Sequence, residues 1–133
     1  MARSQPPTSP LPVVVIVDDD EAVLGSLKFA FEIEGFAVRA YSTWNEVFDD
    51  AGFANCTCLI IDHKVPGLDG LGLIAALRTG RIAAPVVLIT NQPTRGLRER
   101  AAKAGVPIVE KPLLAKKLLE RVRDAIACPS RMH

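Results

Sequence analysis

Residues Val13-Val14-Val15-Ile16-Val17 form an unbroken β-branched run that stops at Asp18-Asp19-Asp20. β-branched side chains are stiff at χ1 and suit a packed, pleated surface. A run without polar alternation fits a strand covered on both faces, the habit of parallel sheets flanked by helices. Three carboxylates then close it. This one feature calls for an α/β fold with a negatively charged strand end.

The remaining chain keeps the alternation. Val23, Leu24, Leu27, Ala30 and Phe31 share a helical face, and Gly35 follows Glu34 as the glycine that ends the helix. Phe36–Tyr41 reads as a second strand. Thr43-Trp44-Asn45-Glu46 has capping-box spacing and opens a second helix that ends before Gly52. Cys58–Ile61 is a third buried strand closed by Asp62. Pro66-Gly67-Leu68-Asp69-Gly70 is a turn, and a third helix turns Leu71, Ile74 and Leu77 inward and stops near Gly80. Pro85–Ile89 is a fourth strand. Thr94 caps a fourth helix with Leu97, Ala101 and Ala104 on one face, ended by Gly105. Pro107–Val109 is a short fifth strand. Leu114, Leu118, Val122 and Ile126 mark an amphipathic fifth helix.

Strands alternating with helices imply a parallel sheet with helices on both faces. Right-handed crossovers leave few topologies for it. At 133 residues the chain suits one domain. The expected boundaries are a disordered tail over 1–12, with Pro6, Pro7, Pro10 and Pro12, a folded domain over 13–127 and a short tail over 128–133.

Composition narrows the class without naming a partner. Hydrophobic content of 49% and charged content of 23% fit a globular domain, and a net charge of +1 predicts neither nucleic acid nor membrane binding. The halves differ: residues 1–62 hold 10 acids and 3 bases, residues 63–133 hold 5 acids and 13 bases. That asymmetry fits a dipolar surface, or simply the places where an acidic site and solvated helices fall. Cys56, Cys58 and Cys128 form no disulfide framework or zinc signature, so reduced thiols and a cytoplasmic setting are expected. No apolar run approaches the roughly 20 residues of a membrane span.

In open parallel sheets the ligand site lies beyond the carboxyl ends of the strands. Those ends carry Asp18, Asp19 and Asp20, then Asp62, then Thr90, then Lys111 followed by Pro112. Singly, each has an ordinary reading as a helix cap, an Asx-turn or a solvated charge. Together they converge. Close carboxylates repel and need a cation, and hard oxygen ligands suit Mg²⁺, with Mn²⁺ as an alternative. A cation, a carboxylate, a lysine and a threonine are what phosphoryl transfer needs, and an Asp nucleophile gives an acyl phosphate.

The segments Val13–Asp20, Ile60–Gly70, Val87-Leu88-Ile89-Thr90 and Glu110-Lys111-Pro112 resemble the receiver domains of bacterial two-component response regulators, over roughly residues 12–127. The N-terminal third is most similar to receivers of nitrogen-fixation-type regulators. The resemblance implies a flavodoxin-like, doubly wound sheet of order 2-1-3-4-5 with five helices. It implies that Asp62 accepts phosphate from the phosphohistidine of a histidine kinase or phosphotransfer protein. Asp18, Asp19, Asp62 and the backbone carbonyl of Lys64 would hold Mg²⁺. Thr90 would bond the phosphoryl group and move with it, and Lys111 would pair with its oxygens. The Lys111–Pro112 bond would be cis. Helix four, strand five and helix five would form the readout face for a downstream protein partner, with a homodimer as a further option. Such a regulator assists its own phosphorylation and dephosphorylation and is not otherwise an enzyme.

The chain departs from the family pattern in places. The switch position three residues before the lysine, often aromatic, is Ile108, and the usually small residue after the threonine is Asn91. Lys64 and Gln92 are placed to tune how long the phosphate persists. After Ile126 only seven residues remain, which suits a single-domain regulator or a fragment.

Other functions fit less well. A haloacid-dehalogenase-type phosphatase shares Asp18-x-Asp20 but wants Thr or Val where Ala22 stands. A flavin module needs a phosphate loop after the first strand, where three aspartates would repel it. Direct nucleic-acid binding could use Arg95, Arg98, Arg100 and Lys103, but no interleaved aromatics or helix-turn-helix accompany them. His63, alone in its loop, lacks the ligand cluster of a metal site. A phosphorylation-independent interaction module of the same fold remains the alternative.

Overall fold

A computed structural model describes residues 11–43, 46, 56–63, 84–91, 93–111 and 115–127. Five strands pair in parallel: β1 (Val13–Val17), β2 (Ala37–Tyr41), β3 (Cys58–Asp62), β4 (Val86–Thr90) and β5 (Ile108–Glu110), in the order β2-β1-β3-β4-β5. The β-branched run is indeed the first strand, placed between β2 and β3. Its side chains alternate between two cores. Val15 and Val17 join Leu59, Ile61, Val86 and Leu88 on one face, while Val14 and Ile16 join Cys58, Ile60, Val87 and Ile89 on the other.

Three helices are described: α1 (Glu21–Ile33), α2 (Arg95–Ala104) and α3 (Ala115–Ala127), the first, fourth and fifth expected from the sequence. α1 covers the second face with Leu24, Leu27 and Phe31, and α3 covers the same face with Leu118, Leu119 and Val122. α2 covers the first face with Leu97 and Ala101. Helices on both faces make the sheet doubly wound, as the alternation requires. The third expected helix, and the second beyond its opening at Thr43–Glu46, lie outside the described residues.

Local chemistry explains the boundaries. Asp20 caps α1, its carboxylate accepting from the Ala22 and Val23 amides at 2.9 and 3.3 Å. The helix ends at Gly35 with φ +98°, where the Phe36 amide reaches back to the Phe31 carbonyl at 3.1 Å. Phe36 therefore belongs to the turn, and β2 starts one residue later than expected. Thr43 and Glu46 form the anticipated capping box, Glu46 N to Thr43 Oγ1 at 3.3 Å and Thr43 N to Glu46 Oε1 at 3.2 Å. Thr94 caps α2 through the Leu97 amide at 3.1 Å, and Gly105 ends it at φ 71°. Ala104, expected on the buried stripe, is exposed; Val106, beyond the left-handed turn, completes that contact. β4 and β5 also begin one residue later than expected, because Pro85 and Pro107 lack an amide donor and serve only as acceptors, for Leu59 N and Leu88 N.

Candidate functional site

In the order β2-β1-β3 the chain moves one way across the sheet from β1 to β2 and then the other way to β3, so the carboxyl ends of the parallel neighbours β1 and β3 flank a crevice. Asp18 follows β1 and Asp62 is the last residue of β3, on either side of it. Thr90 ends β4 and Lys111 follows β5. Asp62 and Thr90 are 3% and 1% exposed, and Asp18 is fully buried. Each of these polar groups is drawn inward because its strand is covered on both faces up to that residue.

The three consecutive aspartates divide their tasks. Asp18 points into the crevice, and its Oδ1 accepts the Asp20 amide at 2.9 Å. Asp19 is exposed, and Asp20 caps α1. A ligand oxygen from each of Asp18, Asp19 and Asp62 lies within 4.8 Å of the others. This cluster can hold a cation.

Lys111 supplies the balancing charge. Its Nζ lies 3.2 Å from Asp62 Oδ2 and 3.2 Å from Asp18 Oδ2. The contact to Asp62 is an aligned hydrogen bond; that to Asp18 is an ion pair, so among the described residues the buried Asp18 Oδ2 has no hydrogen-bond donor. Burial, and next the Asp62 charge, push the Asp18 carboxyl up to about 6, against the pull of the Asp20 amide and Lys111. For Lys111 burial is the largest single influence and lowers the pKa, but Asp62 and Asp18 together outweigh it and raise the ammonium above its ordinary value. The Lys111 amide donates to the Thr90 carbonyl at 2.8 Å, fixing the lysine backbone to the end of β4.

Asp18, Asp19, Asp62, Thr90 and Lys111 thus meet at one edge, as the strand-end reading anticipated. Ile108 sits half-buried on β5 against the first core, two strands from the acidic cluster. Asn91 is exposed. The His63 amide donates to the Ile89 carbonyl at 2.9 Å, and its buried Nδ1 has no partner among the described residues. Lys64, Gln92 and Pro112 lie outside the described residues. Sequence reasoning missed the direct Lys111–Asp18 pairing. Its only signal was indirect: strand order makes β1 and β3 neighbours, but nothing in the spacing tells which carboxylates a lysine 49 residues beyond Asp62 will reach.

The comparisons agree with this fold. The family profile described as "Response regulator receiver domain" matches residues 14–123. The chain is 33% identical over 117 residues to the C4-dicarboxylate transport transcriptional regulatory protein DctR of Rhodobacter capsulatus, covering 86% of this chain and 59% of that protein. It is 28% identical over 114 residues to the transcriptional regulatory protein FixJ of Bradyrhizobium diazoefficiens, covering 85% and 56%. The chain spans between half and three-fifths of the length of these curated relatives. Among solved structures, a CheY-like response regulator receiver domain protein from Methanospirillum hungatei superposes with a TM-score of 0.80 at 25% identity, over 93% of this chain and 100% of that one. The chain belongs to the response regulator receiver domain family of two-component systems.

Proposed function

We propose that the chain is a phosphoacceptor switch in which Asp62 takes a phosphoryl group from the phosphohistidine of a histidine kinase or phosphotransfer protein. The observation that carries this reading is the placement of Lys111 Nζ at 3.2 Å from both Asp18 and Asp62, beside the three-carboxylate cluster. The residues fit a divalent cation. Among the described residues, three carboxylates against one ammonium leave excess negative charge, and the buried Asp18 Oδ2 has no hydrogen-bond donor. Asp18, Asp19 and Asp62, with the backbone carbonyl of Lys64, would hold Mg²⁺ or Mn²⁺. When bound, the ion would offset charge on the phosphoryl oxygens.

The remaining chemistry falls to the chain. An Asp62 carboxylate oxygen attacks phosphorus, the donor P–N bond breaks, and its electron pair leaves with the imidazole. The product is an acyl phosphate, and Asp62 has no proton to lose. Lys111, held protonated by its carboxylate neighbours, pairs with the phosphoryl oxygens. Thr90 supplies a hydroxyl to the same group. Because the Thr90 carbonyl accepts the Lys111 amide, a shift at Thr90 is transmitted to the end of β5. Ile108, packed on the core, takes the place of an aromatic gate. The readout face would be α2, β5 and α3, offered to a downstream protein in the cytoplasm. Residues 13–127 would act as the receiver unit. Its Lys111–Pro112 bond would be cis.

The test is incubation with acetyl phosphate and Mg²⁺, followed by intact mass, with Asp62→Asn alongside. One added phosphoryl group, lost in Asp62→Asn and without Mg²⁺, is the expected result. No label with either acetyl phosphate or a phosphorylated kinase would favour a phosphorylation-independent interaction module.

A further inference from the structure

Phe29 and Ile33 are the most exposed large hydrophobic side chains among the described residues, at 69% and 64%. They stand four residues apart on one face of α1, whose core contacts come instead from Leu24, Leu27 and Phe31. With Ala30, Ala115 and Leu119 they line a groove of about 490 Å³ between α1 and α3. Its rim carries no net charge. Glu34 and Arg123 pair with each other at 2.9 Å, and Lys116 and Glu120 stand one turn apart on α3 with opposite signs. A strongly charged occupant gains nothing on such a rim, whereas an uncharged apolar one covers Phe29 and Ile33 at no electrostatic cost.

The chain carries such a segment beside this groove. Ser4 to Pro12 holds four prolines and no charged residue. It joins the fold where α1 ends: the Pro12 carbonyl accepts from the Ala37 amide at 2.9 Å, three residues after Glu34. By the alternation of β1, position 12 falls on the same side of the sheet as Val14 and Ile16, the side that α1 and α3 cover. The reach is sufficient. Glu34 back to Phe29 is about 7.5 Å along the helix, and six residues of extended proline-type backbone span about 18 Å. Proline sets that backbone in advance, so docking on an aromatic-lined groove orders little. The covalent link also gives an effective concentration on the order of millimolar, so weak contacts suffice. We infer that the α1–α3 groove is the docking site of the chain's own proline-rich segment, with Pro6 and Pro7 resting on Phe29 and Ile33.

A nitroxide label on the segment tests it in the full, isotope-labelled chain. Ser4→Cys with Cys128→Ser carries the label, since Cys56 and Cys58 are buried. The amide signals of Phe29, Ala30, Ile33 and Leu119 are expected to broaden, and those of Ala101 and Lys103 on α2, across the sheet, to stay sharp. Phe29→Ser, at an exposed position, should cut the broadening at Ile33 and Leu119 by about threefold or more, with an unchanged thermal melt. Pro6→Gly with Pro7→Gly should do the same. The contact is expected to persist in Asp62→Asn, so it stands or falls separately from the phosphoryl chemistry. Groove signals that stay sharp overturn the inference, as does broadening that Phe29→Ser leaves intact. A mixture of spin-labelled chains and isotope-labelled chains without the nitroxide is expected to show none; broadening there as strong as in the single chain would assign the groove to a second copy and overturn it too.

Discussion

Lys111 Nζ lies 3.2 Å from Asp62 Oδ2, a bond between residues 49 positions apart that closes the crevice between β1 and β3. The same ammonium faces Asp18, so its removal leaves two buried carboxylates opposed. Lys111→Met keeps the chain length and removes the charge. In EDTA it should lower stability by about 1–2 kcal/mol, less than a fully buried pair because Lys111 is partly exposed. Urea unfolding measures this, and saturating Mg²⁺ should recover part of the loss. Unchanged midpoints in EDTA would mean that the pair is stabilised no more than its hydrated parts.

Asp18 sets a pH dependence of unusual sign for a carboxylate. Its folded pKa is about 6, above the ordinary 3.8, so the folded state binds the proton more tightly than the unfolded chain does. Stability linked to Asp18 is therefore gained as pH falls through 6 and is complete below about 4. Above pH 6 the folded protein carries a buried carboxylate whose cost Lys111 and the Asp20 amide offset only in part. Without metal, the protein should be more stable at pH 5 than at pH 7.5 by about 1–2 kcal/mol from this group. Asp18→Asn should flatten that difference, and Mg²⁺ should reverse it by favouring the charged form. Denaturation in EDTA at the two pH values would sink the assignment if Asp18→Asn kept the full slope.

Cys56 and Cys58 are free and buried on opposite faces of the sheet. Burial pushes their thiols up to about 11 and about 12. Thiolate is the reactive form, so neither should react in the native state. Alkylation at pH 8 followed by peptide mapping should find both unmodified, and both modified after denaturation. Rapid native labelling of Cys58 would contradict the burial of β3.

Much of the fold was legible because the apolar runs are unbroken. Val13–Val17, Cys58–Ile61 and Val87–Ile89 can be covered only by helices on both sides, and the strand-end polar residues then fall at one edge by topology. Single boundary residues were less legible. Phe36 carries strand chemistry but is claimed by the α1 turn, and Ala104 shares the α2 stripe by period yet faces solvent near the helix end. Leu119 is buried one position beside the predicted stripe, because α3 packs against α1 as well as the sheet. The lysine's choice of Asp18 as a second partner depends on side-chain reach across three strands, which periodicity does not encode.

Two glycines should respond to alanine in opposite directions. Among the described residues an added Cβ meets nothing within 4 Å at either Gly25 or Gly35, so backbone conformation is what separates them. Gly25 lies inside α1, where alanine restricts the unfolded chain and has the better helix propensity. Gly25→Ala should raise stability by about 0.5–1 kcal/mol. Gly35 sits at φ +98°, a region that alanine enters only with strain. Gly35→Ala should lower stability by about 1–2 kcal/mol. Thermal unfolding of the two variants measures both. A stabilised Gly35→Ala would mean that the α1–β2 turn relaxes to negative φ at no cost, and that the Phe36 amide bond to Phe31 does not depend on the left-handed residue between them.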